Sequence, residues 1–230
     1  MGVSVGRPRP VLALLLLVPA PSLGVLAGLV LWPGTPLGLA LFTLSKVWLF
    51  SLPVIWTRWV ERKPFSLSPA REGGFGTGWW TGLGLSAVVV GVYLLLGDRL
   101  VDRAAMGGRI RSVGLDTPLK FVGGALYFVA VNSVLEEYVW RWFCLEQCRA
   151  LVPTAVAVPL SALFFTLHHF LALRTLTSTP TALLASAGVF AGALVWSAMY
   201  ARFRSVWPGY LSHAIVDIAV FGIGASIAFG

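Results

Sequence analysis

Long apolar stretches separated by short polar connections run along the whole chain. Each stretch has roughly the 20 residues that a helix needs to cross the hydrocarbon core of a bilayer. The apolar runs are continuous rather than alternating, which disfavours a transmembrane β-barrel. Because only helices and closed barrels satisfy their backbone groups in lipid, the pattern predicts an all-α, polytopic bundle of about seven transmembrane helices. The seven segments are 11–32, 37–57, 79–97, 120–145, 153–173, 181–201 and 207–229.

The polar connections leave no room for a soluble domain, so residues 1–230 are predicted to form a single transmembrane domain. The connection 98–119 mixes arginines with aspartates and is expected to lie as an amphipathic stretch on the membrane surface. Glycine pairs four residues apart predict places where two helices approach closely in lipid. These pairs are Gly24/Gly28, Gly78/Gly82 and Gly188/Gly192.

Composition excludes a soluble enzyme. Hydrophobic residues make up 57% of the chain and charged residues only 11%, with a mean hydropathy of +0.84. A soluble domain carries about 25% charged residues. The net charge of +8 comes from basic residues that lie mostly between apolar runs. That placement favours anionic membrane lipids as partners and argues against nucleic acid.

The fourth apolar segment contains charged residues that a membrane span does not need. Asn132, Glu136, Glu137 and Arg141 all lie within it. Glu137 and Arg141 are four residues apart with the acid first, which favours a helical ion pair. Glu136 points about 100° away on the helix and has no basic residue three or four positions later, although Asn132 lies one turn before it. A carboxylate without an ion-pair partner can act as a general base for water.

All three histidines lie in the fifth and seventh segments. His168 and His169 are adjacent, so we expect one to enter a site and the other to pack beside it. His213 and Asp217 are four apart and share a helix face. Ionisable groups within a membrane are costly and are functional candidates by default.

Together these side chains predict a site where water is activated for hydrolysis, with or without a divalent metal such as zinc. Two imidazoles and two carboxylates are suitable metal ligands, and the candidate set is Glu136, His169, His213 and Asp217. Hydrogen bonding between helices, a proton-coupled membrane carrier and a bis-histidine haem site are the alternatives that the same residues allow.

Three short motifs, in order on three segments, resemble the CPBP intramembrane proteases, also called the CAAX-protease and bacteriocin-processing or Abi family. Residues 136–141 read EEYVWR and match EExxxR, residues 165–169 read FTLHH and match FxxxH, and residues 213–217 read HAIVD and match HxxxN or HxxxD. The resemblance covers about residues 120–217, the expected catalytic core.

The resemblance implies a helical bundle that hydrolyses a peptide bond of a membrane-associated protein or peptide, in a multi-pass protein of the cell membrane, such as the bacterial inner membrane. Glu136 would activate water with the help of His169, and His213 and Asp217 would stabilise the oxyanion or bind metal. Glu137 and Arg141 would hold the site together. His168, Asn132 and Phe165 are supporting candidates. A non-catalytic scaffold or immunity protein of the same fold is the alternative.

The chain departs from the family pattern in three ways. Phe164 and His168 also fit FxxxH, although the preceding residues favour Phe165 and His169. Asp217 stands where the well-studied CAAX proteases have asparagine, and a carboxylate stabilises an oxyanion poorly. It is therefore expected to be protonated, to orient His213 or to bind metal. The seven predicted spans are one fewer than in the prenyl proteases.

Overall fold

A computed structural model describes residues 8–230, and every regular element within that range is helical. Seven helices are long and apolar enough to cross a membrane, which confirms the predicted all-α transmembrane class. One short helix, α4, lies in the connection between the third and fourth of them. The helices are α1 (Arg9–Leu31), α2 (Pro36–Val60), α3 (Phe75–Leu100), α4 (Arg103–Ser112), α5 (Pro118–Arg149), α6 (Thr154–Leu176), α7 (Thr179–Phe203) and α8 (Trp207–Phe229).

Helix α5 is the longest element, and two of its segments are π-helical. Its 32 residues measure about 48 Å at 1.5 Å per residue, which exceeds the roughly 30 Å hydrocarbon core. The segments Phe128–Asn132 and Tyr138–Leu145 are π-helical and flank one α-helical turn, Ser133–Glu137. Such π segments shift the faces of a helix and often occur at functional sites. The two adjacent glutamates lie in the turn between them.

Close contacts at glycine positions hold α1 against α2 and α3 against α8. A Cβ at Gly24 would lie 1.8 Å from Ser45 Oγ, and one at Gly78 would lie 2.3 Å from the Pro208 carbonyl oxygen. Only glycine fits at these two positions, as the pairs predict. Gly188 differs, because a Cβ there would have no atom within 4 Å outside its own helix and chain neighbours. The prediction of a close helix contact is therefore wrong for Gly188.

The connection 98–119 lies across the ends of two helices. Asp102 accepts a hydrogen bond from the Ala105 amide (2.9 Å) and caps the start of α4. Arg111 Nη1 then donates to the Ala228 carbonyl at the end of α8 (3.1 Å), and Arg109 donates to the Thr175 carbonyl at the end of α6. These arginines satisfy carbonyls that a helix end leaves without intrahelical partners.

The connection between α2 and α3 fixes the start of α8. Ser68 is buried in it and accepts a hydrogen bond from the Val206 amide (3.0 Å), while its carbonyl accepts one from the Ser205 hydroxyl (2.7 Å). Trp207 Nε1 donates to the Leu67 carbonyl (3.0 Å). The first turns of α8, which carry His213, are thereby held against the rest of the bundle.

Candidate active site

Both glutamates of α5 point into the protein. Glu136 is 4% exposed and Glu137 is fully buried. They leave the helix in different directions, as adjacent residues must, and each has its own set of neighbours. Neither carboxylate faces lipid, so both belong to the interior of the bundle formed by α5, α6, α7 and α8.

Glu137 is neutralised by the arginine one turn later. Its Oε1 lies 3.2 Å from Arg141 Nη1, so the predicted ion pair is present, and Arg141 is fully buried. The guanidinium carbon also lies 4.6 Å from the centre of the Phe165 ring and 5.1 Å from that of Trp196. Aromatic faces attract a desolvated cation. One carboxylate and two rings from two other helices therefore hold this charge.

His213 links the two glutamates. Its Nδ1 lies 3.1 Å from Glu137 Oε1, while its Nε2 lies 3.9 Å from Glu136 Oε2 and 3.8 Å from Asp217 Oδ1. Because an ionised carboxylate only accepts hydrogen bonds, the contact with Glu137 places a proton on Nδ1. The Nε2 atom is then directed into the space between Glu136 and Asp217.

Trp196 of α7 fixes the plane of the His213 ring. The two rings stack with centroids 3.9 Å apart and planes 15° from parallel, and Trp196 Nε1 donates to Ser212 Oγ (3.0 Å). Sequence reasoning missed Trp196, because α7 carries none of the three motifs and a tryptophan in an apolar helix gives no signal of this role.

The two adjacent histidines of α6 both approach Glu136. One nitrogen of His168, one nitrogen of His169 and one carboxylate oxygen of Glu136 lie within 4.8 Å of one another. We expected one histidine to enter the site and the other to pack beside it, and both bring a ring nitrogen close to Glu136. Backbone directions 100° apart do not keep imidazoles apart, because the side chains rotate until their ring centres are 4.2 Å from each other.

The environments of the two histidines nevertheless differ. His169 is half-buried, lies 4.3 Å from the Phe165 ring between centroids, and contacts the Phe165 carbonyl through Nδ1 (2.9 Å). A carbonyl only accepts, so His169 carries a proton on Nδ1 and leaves Nε2 as its free acceptor. His168 is buried and stacks on Trp140, with centroids 5.5 Å apart and planes 13° from parallel.

Asp217 is held from the opposite side by α5. Its Oδ2 accepts a hydrogen bond of 2.6 Å from Ser133 Oγ. Ser133 was missed by the motifs, although its position three residues before Glu136 places it on the same helix face. Asn132 is buried in the π-helical turn before Glu136.

A glycine of α8 leaves space for the Glu137 carboxylate. At Gly209, one turn before His213, a Cβ would lie 2.6 Å from Glu137 Oε2. The carboxylate therefore occupies the space of that side chain. A glycine four residues before a motif histidine is a signal that sequence inspection can use, since both positions share one face of the helix.

Metal ligands are available, but not in the grouping expected from the sequence. Glu136, His168 and His169 form the compact group, which does not include His213 and Asp217. A carboxylate and two imidazoles are a suitable donor set for a catalytic zinc ion, which keeps a fourth position for water. The residue types present therefore fit a divalent metal.

Comparison with known proteins identifies the segment that contains these residues. A family model described as type II CAAX prenyl endopeptidase Rce1-like matches residues 118–219, the range that holds all three motifs. No curated protein and no solved structure matches the chain. The match over residues 118–219 confirms the resemblance to the CPBP, or CAAX-protease, family that the three motifs predict.

Proposed function

We propose that this protein is an intramembrane endopeptidase that hydrolyses a peptide bond with water activated by Glu136. The observation that carries the proposal is the different surroundings of the two buried glutamates. Glu137 is paired with Arg141 at 3.2 Å, whereas Glu136 faces imidazoles of His213 and of the His168–His169 pair across gaps that one water molecule can bridge. The family match over residues 118–219 supports CAAX-protease-like activity at the level of the family.

In the proposed reaction Glu136 acts first as a general base and then as a general acid. The Glu136 carboxylate takes a proton from water while the water oxygen attacks the carbonyl carbon of the scissile bond. The carbonyl π bond opens and its oxygen becomes an oxyanion. Glu136 then gives the proton to the amine nitrogen, the carbon–nitrogen bond breaks and the carbonyl re-forms. A positioned side chain that transfers protons in this way accelerates a reaction by about 10²–10⁴-fold.

In the proposed mechanism His213 stabilises the oxyanion. With Nδ1 bonded to Glu137, an imidazolium form of His213 has its second proton on Nε2, directed between Glu136 and Asp217. Asp217 lies close to this point, and its ionised carboxylate would repel an oxyanion there rather than stabilise it. Its role in the proposal is to orient His213, while His169 accepts a hydrogen bond from the water through Nε2.

A divalent metal is compatible with the same site. Glu136, His168 and His169 would hold it, and when bound such an ion supplies Lewis-acid polarisation of the carbonyl and lowers the pKa of a water ligand. The stacking of His168 on Trp140 and the hydrogen bond of His169 to Phe165 would then orient both ligands.

The proposed substrate is a membrane-associated protein or peptide. An apolar groove of about 240 Å³ lies between α2 and α5, beside the turn that carries Glu136, and the surfaces of Leu135, Tyr138 and Trp142 line it together with Phe65. Apolar segments of a substrate embedded in lipid can enter such a groove without exposure to water. We place the protein in the cell membrane, such as the bacterial inner membrane, with lipids as its surroundings.

Proteolysis by the purified protein tests the proposal. The protein in detergent or liposomes is incubated with a library of lipidated and unlipidated peptides, and fragments are measured by mass spectrometry. Glu136→Gln is expected to lower the cleavage rate by about 10²–10⁴-fold with unchanged folding. Glu72→Gln is the matched control, because Glu72 pairs with Arg202 on the exposed surface and is expected to leave the rate unchanged.

Other outcomes point to other functions. A wild-type protein that cleaves nothing while its cellular phenotype survives Glu136→Gln would favour a scaffold. Ion flux into liposomes that survives Glu136→Gln but needs the histidines would favour a carrier. Treatment with a chelator separates the metal-free mechanism from the metal-dependent one. Bound zinc is measured by mass spectrometry in the wild type and in His168→Ala. If cleavage and bound zinc are lost together, the mechanism depends on the metal.

A further inference from the structure

Ser133 is a buried serine that no motif includes, and it joins the catalytic turn of α5 to Asp217 of α8. Its side chain is fully buried, and its Oγ lies 2.6 Å from Asp217 Oδ2 and 2.7 Å from the Phe128 carbonyl oxygen. A hydroxyl carries only one proton, so it fully donates to only one of these acceptors at a time.

The hydrogen bonds of the π-helical turn before Ser133 indicate which of the two acceptors receives the hydroxyl proton. The Phe128 carbonyl already accepts the backbone N–H of Ser133, which is the hydrogen bond that closes this turn. Asp217 Oδ2 has Ser133 as its hydrogen-bond donor among residues 8–230. The hydroxyl proton therefore belongs to the Asp217 contact, since hydrogen bonds to charged groups are the stronger ones.

Fixing one oxygen of a carboxylate fixes the other. With Oδ2 bound to Ser133, Oδ1 is left 3.8 Å from His213 Nε2. The side chain of Asp217 is 21% exposed, so without Ser133 it has room to rotate away from the imidazole. The Ser133 hydroxyl thus sets the direction in which Asp217 presents its charge to His213.

We propose that Ser133 is a positioning residue that acts through Asp217 on His213. The inference rests on the proposed function, because its effect is on the rate of peptide hydrolysis. A positioning role predicts a lower kcat with an unchanged KM, since Ser133 is not placed to bind the substrate. It also predicts that the effect of Ser133 disappears when Asp217 is removed.

A double-mutant cycle tests this role. Ser133→Ala is expected to lower kcat about tenfold, the value of a lost hydrogen bond to a charged group. In an Asp217→Ala background the same change is expected to have no further effect. Ser133→Cys keeps most of the side-chain volume but provides only a weak donor, so it is expected to lower kcat similarly while preserving the packing.

Ser161→Ala is the matched control. Ser161 is also a buried serine, and its hydroxyl donates to the Trp140 carbonyl (2.8 Å) without contacting Asp217 or His213. It is expected to keep kcat. Equal losses for Ser133→Ala with and without Asp217, or an equal loss for Ser161→Ala, overturn the Ser133 role while peptide cleavage still depends on Glu136. A wild-type rate in Glu136→Gln instead overturns the proposed function, and the Ser133 role with it.

Discussion

The first three spanning helices and the last four differ in the kind of contact that holds them together. In α1–α3 the only buried polar side chain among the described residues is Thr57, whereas α5–α8 bury Glu136, Glu137, Arg141, His168 and His213. Lipid tails are as apolar as leucine, so apolar faces gain little by meeting each other in a bilayer. Close contacts at glycines hold the helices α1–α3 in place, whereas paired polar groups link the helices α5–α8.

This difference explains where the chemistry lies. A buried charge is tolerated only when it has partners, and in α5–α8 several of these partners come from another helix. Arg141 of α5 contacts rings of α6 and α7, and His213 of α8 contacts Glu137 of α5. The polar contacts that join these helices therefore also bring the candidate catalytic groups to one place.

Removal of one basic side chain from a spanning helix of each region is the strongest way to break the comparison. Arg141→Met leaves Glu137 buried without its ion-pair partner and is expected to lower the free energy of unfolding by about 3–5 kcal/mol. Lys46→Met in α2 is the matched change. The Lys46 ammonium lies 5.7 Å from the Phe50 ring centre and the side chain is only half-buried, so a loss of about 1 kcal/mol or less is expected.

Unfolding of both variants in detergent with increasing denaturant measures this difference. Equal losses for the two substitutions would show that buried polar pairing does not distinguish the two regions. The double variant Glu137→Leu/Arg141→Met adds a second check, because replacing a whole buried ion pair with apolar residues is often neutral. We expect it to recover most of the stability and none of the peptidase activity.

Hydropathy alone was sufficient to predict the spans, because the bilayer sets a minimum length for every crossing. The fifth segment, expected at 153–173, is Thr154–Leu176 in the structure. The Glu137–Arg141 contact was also predictable, since helix geometry fixes which residues face each other at a spacing of four. Such arguments concern one helix at a time.

The remaining features of the site depend on contacts between helices, which a single sequence does not encode in its spacing. Trp196 stacks on His213 from α7, and Ser133 reaches Asp217 across to α8. The approach of His168 and His169 to the same carboxylate depends on side-chain rotation. In each case the local periodicity is compatible with several partners, and packing selects one.

The contact between α3 and α8 joins the two regions and is expected to show an intermediate effect. Gly78→Ala places a Cβ 2.3 Å from the Pro208 carbonyl, so the helices must separate at a cost of about 1–3 kcal/mol. Gly84→Ala on the same helix meets no atom within 4 Å and is expected to be neutral or to stabilise by up to about 1 kcal/mol through helix propensity.

Thermal unfolding of the two alanine variants in the same detergent gives the sign of each effect. A Gly78→Ala protein as stable as Gly84→Ala would contradict the tight α3–α8 contact. Because α8 carries His213, we also expect Gly78→Ala to lower peptidase activity more than Gly84→Ala does.

The smallest effect is expected at an ion pair that has the same spacing as Glu137 and Arg141 but is exposed. Lys120 Nζ lies 2.8 Å from Asp116 Oδ1 at the start of α5, where both side chains are exposed. The hydrogen bond from Lys120 lowers the pKa of Asp116 from its ordinary value of 3.8. A lowered pKa in the folded state adds stability above the ordinary pKa, and that stability is lost as the pH falls through the lowered value.

Because water and salt screen such a pair, Asp116→Asn is expected to leave the midpoint of thermal unfolding unchanged at pH 7. Any small difference from wild type should disappear as the pH is brought below 3.8 and through the lowered pKa of Asp116, where the wild-type carboxyl becomes protonated as well. Unfolding midpoints of both proteins at pH 7 and pH 3 measure this. A destabilisation by Asp116→Asn as large as that of Arg141→Met would show that spacing on the helix, and not burial, decides the value of an ion pair in this protein.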